Sequence, residues 1–339
     1  MNKKRVLAML LAGAMALSMT ACGGGSASSG DDSSNDGGAS ASGGSYKVSV
    51  ILKTLAAEYW QYVKSGAEDY ASEHSDKVTV EVKGPSSETA FDEMQNMIET
   101  DLSSGSYDGV IISPLQSDTA AQLVSGTKLP IVAIDTNFTA PEVKSFVGTG
   151  NEAAAKKGGE AAVEAAKAAG WTDIKCIEIA GVQGDQTNTA RMNGYKAGVE
   201  EAGGTFLSDE VQYADATADR ATTAMEAIMQ THPEGIAIIC ANNDDMAMAA
   251  ARAAQGHDAY KNTIFLGFNG DRAACEAILA GQMTMSVAQM AYEMGYKAVE
   301  TMVQVLDGET VDEFVDSGSD VVTPDNAQER LDTLKTQLH

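Results

Sequence analysis

The sequence predicts an α/β protein built as two doubly wound, parallel-sheet lobes. Three observations predict it. From Tyr46 onward, apolar runs of strand length alternate with stretches of helical periodicity. The strand runs are apolar almost throughout rather than alternating, the mark of parallel strands covered on both faces. The series then repeats after Phe146 at similar size, and 339 residues is a two-domain length. Abundant glycine (33) and scarce proline (6) fit a chain with many short βα turns.

In the first series, the run from Lys47 to Lys53 reads as a strand and 58–73 as its helix. A strand over 78–82 leads to a helix over 88–102. A strand over 109–113, a helix over 117–126 and a strand over 131–134 follow. In the second series, strands are expected over 174–180, 205–212, 236–240, 264–268 and 284–288. Helices are expected over 152–169, 187–202, 216–230, 244–254, 271–280 and 292–306. In sheets of this kind ligands bind beyond the carboxyl ends of the strands, and two facing lobes place those ends across a cleft.

The first 45 residues belong to neither series. Lys3-Lys4-Arg5, an apolar run from Val6 to about Met19, and small residues before Cys22 read as a secretory signal peptide over 1–21. The run is too short to span a bilayer. Met19-Thr20-Ala21-Cys22 resembles a bacterial lipobox, in which Cys22 becomes the lipidated first residue; Met stands where Leu is usual. Residues 23–45 contain only Gly, Ser, Ala, Asp and Asn, so they bury no apolar surface. As a flexible coil of about 23 residues they would reach roughly 25–30 Å, the length of a tether over 22–45.

Composition excludes several functions. A net charge of −25 repels phosphate backbones and anionic lipid headgroups, so no nucleic-acid partner and no basic membrane patch is expected. With Cys22 assigned to lipid, Cys176, Cys240 and Cys275 remain, an odd set without CxxC spacing, and three buried thiols are expected. His74, His232, His257 and His339 have no metal-ligand spacing and no nucleophile nearby. No P-loop, HExxH or GxSxG pattern occurs. Gly148-Thr149-Gly150-Asn151-Glu152-Ala153 matches G-x-G-x-x-A, yet the acid a dinucleotide site needs at the next strand's end is missing, so it reads as a crossover turn. Asp244-Asp245 reads as a metal clamp or, more simply, as acids complementing a helix N-terminus. Neither catalysis, a metal nor a cofactor is expected.

What remains is a polar and aromatic set at the strand ends. Lys53 and Thr54 end the first strand, and Tyr59-Trp60 open its helix. Asp135 ends the 131–134 strand, with no second strong pocket acid in view. Asn242-Asn243, Asn269 and Gln289 end strands of the second series, and Arg191 lies in the first turn of the helix after 174–180. The alternative for Trp60 is a core anchor at a helix start, and for Asp135 and Asn243 helix capping. Together they suit a neutral polyhydroxylated ligand. The charged groups bond hydroxyl pairs, amides donate and accept, and aromatic rings cover the apolar face of a sugar.

At these residues the chain resembles the type I periplasmic sugar-binding proteins of ABC transporters, in the manner of the ribose and allose binders. The resemblance is carried by Val50-Ile51-Leu52-Lys53-Thr54-Leu55 with Tyr59-Trp60, by Ala190-Arg191-Met192-Asn193-Gly194, by Cys240 through Met248, and by Ala280-Gly281-Gln282-Met283-Thr284 through Gln289. It covers residues 47 to 308. It implies Rossmann-like lobes joined by a three-segment hinge near 148–151, 288–290 and 313–318. The implied N-terminal lobe is 46–149 plus 289–316, and the C-terminal lobe 150–288 plus 317–339. It implies ligand contacts from Lys53, Tyr59, Trp60, Asp135, Arg191, Asn243, Asn269 and Gln289. It further implies a monosaccharide captured by hinge closure, a monomer, and delivery to a membrane-embedded ABC permease with its ATPase. Three positions depart from the pattern: Ala57 for an asparagine, Thr136 for a basic residue and Asn269 for an aspartate. These point to an aldose, pentose, deoxy sugar or polyol with a changed hydroxyl pattern. Rival expectations are a nucleoside-binding lipoprotein with a base between Tyr59 and Trp60, or a receptor feeding a chemotaxis or signalling partner. A repressor would need a helix-turn-helix where residues 1–45 offer an address, and a glycosidase would need a second carboxylate.

Overall fold

The computed structural model describes residues 45–338. The expected signal segment 1–21, Cys22 and the tether up to residue 44 lie outside the described residues.

The first sheet holds β1 (Tyr46–Ile51), β2 (Val78–Lys83), β3 (Gly109–Ile112), β4 (Ile131–Ile134), β5 (Val143–Gly148) and β12 (Phe314–Asp316) in the order β12-β5-β4-β3-β1-β2. Its helices are α1 (Glu58–Glu73), α2 (Phe91–Ser104), α3 (Ser117–Val124) and α9 (Ala291–Leu306). The second sheet holds β6 (Lys175–Ala180), β7 (Thr205–Phe206), β8 (Gln212–Tyr213), β9 (Ile238–Ala241), β10 (Ile264–Asn269), β11 (Met285–Gln289) and β13 (Ser319–Val322). Its path is β13-β11-β10-β9-β6-β7, with β8 also paired to β6. Around it stand α4 (Asn151–Ala168), α5 (Gln186–Glu201), α6 (Ala218–Thr231), α7 (Asp244–Ala254), α8 (Arg272–Leu279) and α10 (Ala327–Thr336). All pairings are parallel except β11 with β13. Every residue of β3, β4 and β9 is buried, as the unbroken apolar runs require.

Several elements differ from the sequence reading. β5 was not expected, because Lys144 and Ser145 interrupt its apolar run; Val147 is nonetheless buried and Ser145 bonds the Asp312 carbonyl at 2.7 Å. The strand expected over 205–212 is two short strands separated by a 3-10 turn at Ser208–Glu210. α6 starts at Ala218 because Asp215 and Ala216 take left-handed φ values of 47° and 58°. α10 is largely polar and holds its place through Ala327, Leu331 and Leu334, which are buried.

The chain changes layer after β5, into α4 against β10 and β11; after β11, into α9 against β4 and β5; and between β12 and β13. The first and last of these passages are bonded together. Ser317 N donates to the Gly148 carbonyl at 2.8 Å, and the Thr149 and Ser317 hydroxyls stand 3.4 Å apart. In each sheet the strand order reverses beside the first strand: β1 lies between β2 and β3, and β6 between β7 and β9. Ligand crevices form outside the carboxyl ends of strands at such switch points.

Candidate functional site

Those strand ends line one cleft of about 630 Å³. Lys53, Tyr59, Trp60, Asp135, Arg191, Asn243, Asn269 and Gln289 all border it. On the first sheet's side Asp135 is the hub. It follows β4 with a left-handed φ of 62°, a conformation that Asp tolerates better than most side chains. Its carboxylate accepts from the Tyr59 hydroxyl at 2.9 Å and the Thr136 hydroxyl at 2.8 Å, and lies 3.5 Å from Lys53 Nζ. Burial, then the Asp135 charge, pushes the Tyr59 hydroxyl well above its ordinary value, so it stays a donor. Trp60 stands edge-on to Tyr59, with ring centroids 5.0 Å apart and planes at 86°. Its indole N–H donates to Glu88 Oε1 at 2.7 Å, and Lys53 Nζ lies 5.9 Å from its ring.

On the second sheet's side Arg191 holds the corresponding place. It sits in the second turn of α5, one turn further in than expected. Nε donates to Asn151 Oδ1 and Nη1 to the Asn242 carbonyl, both at 2.8 Å. The guanidinium carbon rests 3.8 Å over the Phe268 ring. Burial pulls its pKa below the ordinary value, while Tyr195, Asp135 and Tyr59 oppose the shift. A guanidinium has more N–H donors than these two bonds use. Asn243 both borders the cleft and caps α7: its Oδ1 accepts from Met246 N at 2.9 Å, and its Nδ2 donates to the Ala216 carbonyl at 3.1 Å. Gln289 Nε2 donates to Asn269 Oδ1 at 2.9 Å, and Asn269 takes a φ of 135°. Strain of this kind concentrates at ligand clamps.

One expectation is overturned. Asp135 is not the single acid of the cleft: Glu58, Glu88, Asp185, Asp245 and Asp271 border it too. Four of them open helices that follow strands, so the places that favour acids beside a helix dipole are also the places that face the cleft. Asp185 caps α5 by accepting from Asn188 N at 2.7 Å, and Asp271 caps α8 by accepting from Ala274 N at 2.9 Å. Burial raises the Asp271 pKa, and the Asp245 and Glu58 charges add to it.

Sequence reasoning also missed supporting residues. Asn151, directly after the glycine-containing turn, orients Arg191. Asn188 accepts from Gly181 N at 2.6 Å at the end of β6. Arg330, on the unexpected helix α10, donates to the Gln289 carbonyl at 2.7 Å and the Gly270 carbonyl at 3.2 Å, fixing the end of β11. Cys176, Cys240 and Cys275 are free and buried, as expected.

The chain is similar to known proteins in sequence and in fold. Residues 48–310 match the periplasmic binding protein domain. The chain is 30% identical over 265 residues to the D-allose-binding periplasmic protein of Escherichia coli, covering 75% of this chain and 83% of that protein. It is 27% identical over 268 residues to the ribose import binding protein of the same organism, covering 78% and 86%. In fold it is similar to a carbohydrate transporter solute-binding protein from Agrobacterium radiobacter solved in complex with D-arabinose. That superposition has a TM-score of 0.74 at 24% identity and covers 86% of this chain and 99% of the other.

Proposed function

The chain belongs to the periplasmic binding protein family, and from that premise we propose that it captures a neutral monosaccharide or polyol and delivers it to an ABC import permease. The family is one of solute-binding transport proteins and implies an extracytoplasmic location. The observation that carries the ligand class is the convergence on one cleft of a carboxylate, a guanidinium, amides and an aromatic pair from both sheets. Asp135 and Arg191 serve as the charged hydroxyl partners. Asn243, Asn269 and Gln289 supply amides, and Trp60 supplies the apolar face. The lobes in this reading are 46–149 plus 289–316 and 150–288 plus 317–339, closing on the sugar by a hinge. A lipid on Cys22 holds the protein at the membrane.

Asn269 sharpens the ligand. Its Oδ1 accepts from Gln289 Nε2, and its Nδ2 adds a donor that an aspartate lacks. Where the family pattern has an aspartate acceptor, this site offers a donor. A ring oxygen or a hydroxyl lone pair of the ligand can meet that donor. A nucleoside fits less well, because rings at 86° leave no parallel slot for a base between Tyr59 and Trp60.

A thermal-shift screen of aldoses, pentoses, deoxy sugars, polyols and nucleosides tests this. A true ligand at 100 times its dissociation constant stabilises by about 2.7 kcal/mol. The shift should vanish in Asp135→Asn, which keeps the left-handed φ tolerable while removing the charge. A response to nucleosides alone, or to no sugar and no polyol, would sink the reading.

A further inference from the structure

We propose that Glu58 and Arg272 form a latch across the mouth of the cleft that favours its closed form; this rests on the reading above that the cleft works by closing. Arg272 Nη2 donates to Glu58 Oε2 at 3.1 Å, between residues 214 positions apart. Glu58 opens α1, on the first sheet's side. Arg272 opens α8, between β10 and β11 of the second sheet. The other Glu58 oxygen accepts from the Tyr62 hydroxyl at 2.8 Å. Tyr62 is 2% exposed, and burial pushes its hydroxyl up, so it remains a donor. The carboxylate thus bridges a buried anchor on its own helix and a cation from the opposite side.

The position of Arg272 is what demands a partner. A cation at a helix N-terminus opposes the helix dipole. Asp271 already caps α8, so the charge of Arg272 is not needed to hold the start of its own helix. The same rule favours Glu58 at the start of α1. Two partly positive helix ends face one cleft, and a carboxylate from one bonded to a guanidinium from the other lets them approach. Glu58 also directly precedes Tyr59 and Trp60 on a helix whose Ala57 cap makes no side-chain bond. Closing the latch therefore also holds the first turn that carries the aromatic pair, which makes Glu58 a positioning residue for both rings.

The pair is 33% exposed at Glu58 and 49% at Arg272, so its strength is modest and sensitive to salt. Small-angle X-ray scattering of the full chain without ligand, at low and high NaCl, reads the effect. Glu58→Gln and Arg272→Gln should each lower the closed-to-open ratio by about two- to fivefold. High salt should widen the native protein and leave both variants unmoved. The reciprocal exchange, Glu58→Arg with Arg272→Glu, should restore the compact form. A native scattering profile indifferent to salt and matched by both single variants would overturn the latch. So would widening of Arg272→Gln accompanied by loss of helical circular dichroism, which would mean unfolding rather than opening. Arg272 is half-exposed, so its variant keeps the test sound if Glu58→Gln folds poorly. Neither arm needs the ligand, and the outcome is independent of the sugar screen.

Discussion

Glu178 lies on β6, fully buried. Burial raises its pKa to about 8, with Asn242 and Arg191 pulling the other way. The folded-state value lies above the unfolded value of 4.5, so folding favours the protonated acid. Its contribution is therefore complete below about pH 4.5 and is lost as pH rises towards 8. Glu178→Gln removes the ionisation while keeping the shape. The variant should be more stable than the native protein at pH 8.5 by roughly 3–5 kcal/mol, and the two should converge near pH 4.5. Urea midpoints at both pH values check this; an equal gap at the two would refute it. Some pH dependence will persist, because Asp244 is also fully buried and raised to about 8, by burial and then by Asp271.

Single residues were also the most legible scale of the site. Lys53, Tyr59, Trp60, Asp135, Arg191, Asn243, Asn269 and Gln289 stand at strand ends or helix starts, and all border one cleft. The acids were missed for a physical reason. Asp185 and Asp271 look like caps in a sequence because they are caps, and nothing local says that the capped end also faces a cleft. Asn243 carried the same ambiguity: it caps α7 and also borders the cleft.

At the scale of elements, α1 and α9 pass so closely at Gly66 and Gly295 that neither position has room for a Cβ. A Cβ on Gly66 would lie 1.9 Å from the Tyr292 carbonyl oxygen, and one on Gly295 would lie 1.9 Å from that of Val63. Both contacts are backbone, so neither helix can yield by a rotamer change. Glycine normally weakens a helix by about 1 kcal/mol, so Gly66→Ala would stabilise an isolated α1. In the protein the sign reverses. Overpacking of this kind costs about 1–3 kcal/mol, and Gly66→Ala should lower the melting midpoint accordingly. An unchanged or raised midpoint would show that the helices can separate freely. The crossing matters to function because α1 carries Tyr59 and Trp60, and α9 begins just after Gln289. Two residues far apart in sequence set this approach, so periodicity within either helix could not reveal it. β5 and α10 escaped for a related reason: their polar interruptions are settled by tertiary partners such as Asp312 for Ser145.

At the scale of the whole molecule, the charge of −25 bears on the proposed membrane anchor. An acidic body is repelled by anionic headgroups, and among the described residues no helix is long and apolar enough to cross a bilayer. Adsorption of the body is therefore opposed, and the proposed lipid on Cys22 would supply retention, its buried methylenes contributing about 0.8 kcal/mol each. The repulsion and the anchor respond differently to salt. Salt screens the repulsion of an acidic body, whereas it leaves a lipid anchor in place. The native protein should accordingly sediment with membranes in both low and high NaCl and leave them only in detergent. Cys22→Ala should appear in the soluble fraction at either salt concentration. Its ligand-induced thermal shift should be unchanged, because the cleft is built wholly from residues 53 to 289. A Cys22→Ala protein that still sediments, or a native protein washed off by salt alone, would refute the anchor. A lost thermal shift in that variant would instead tie the first residues to the binding body.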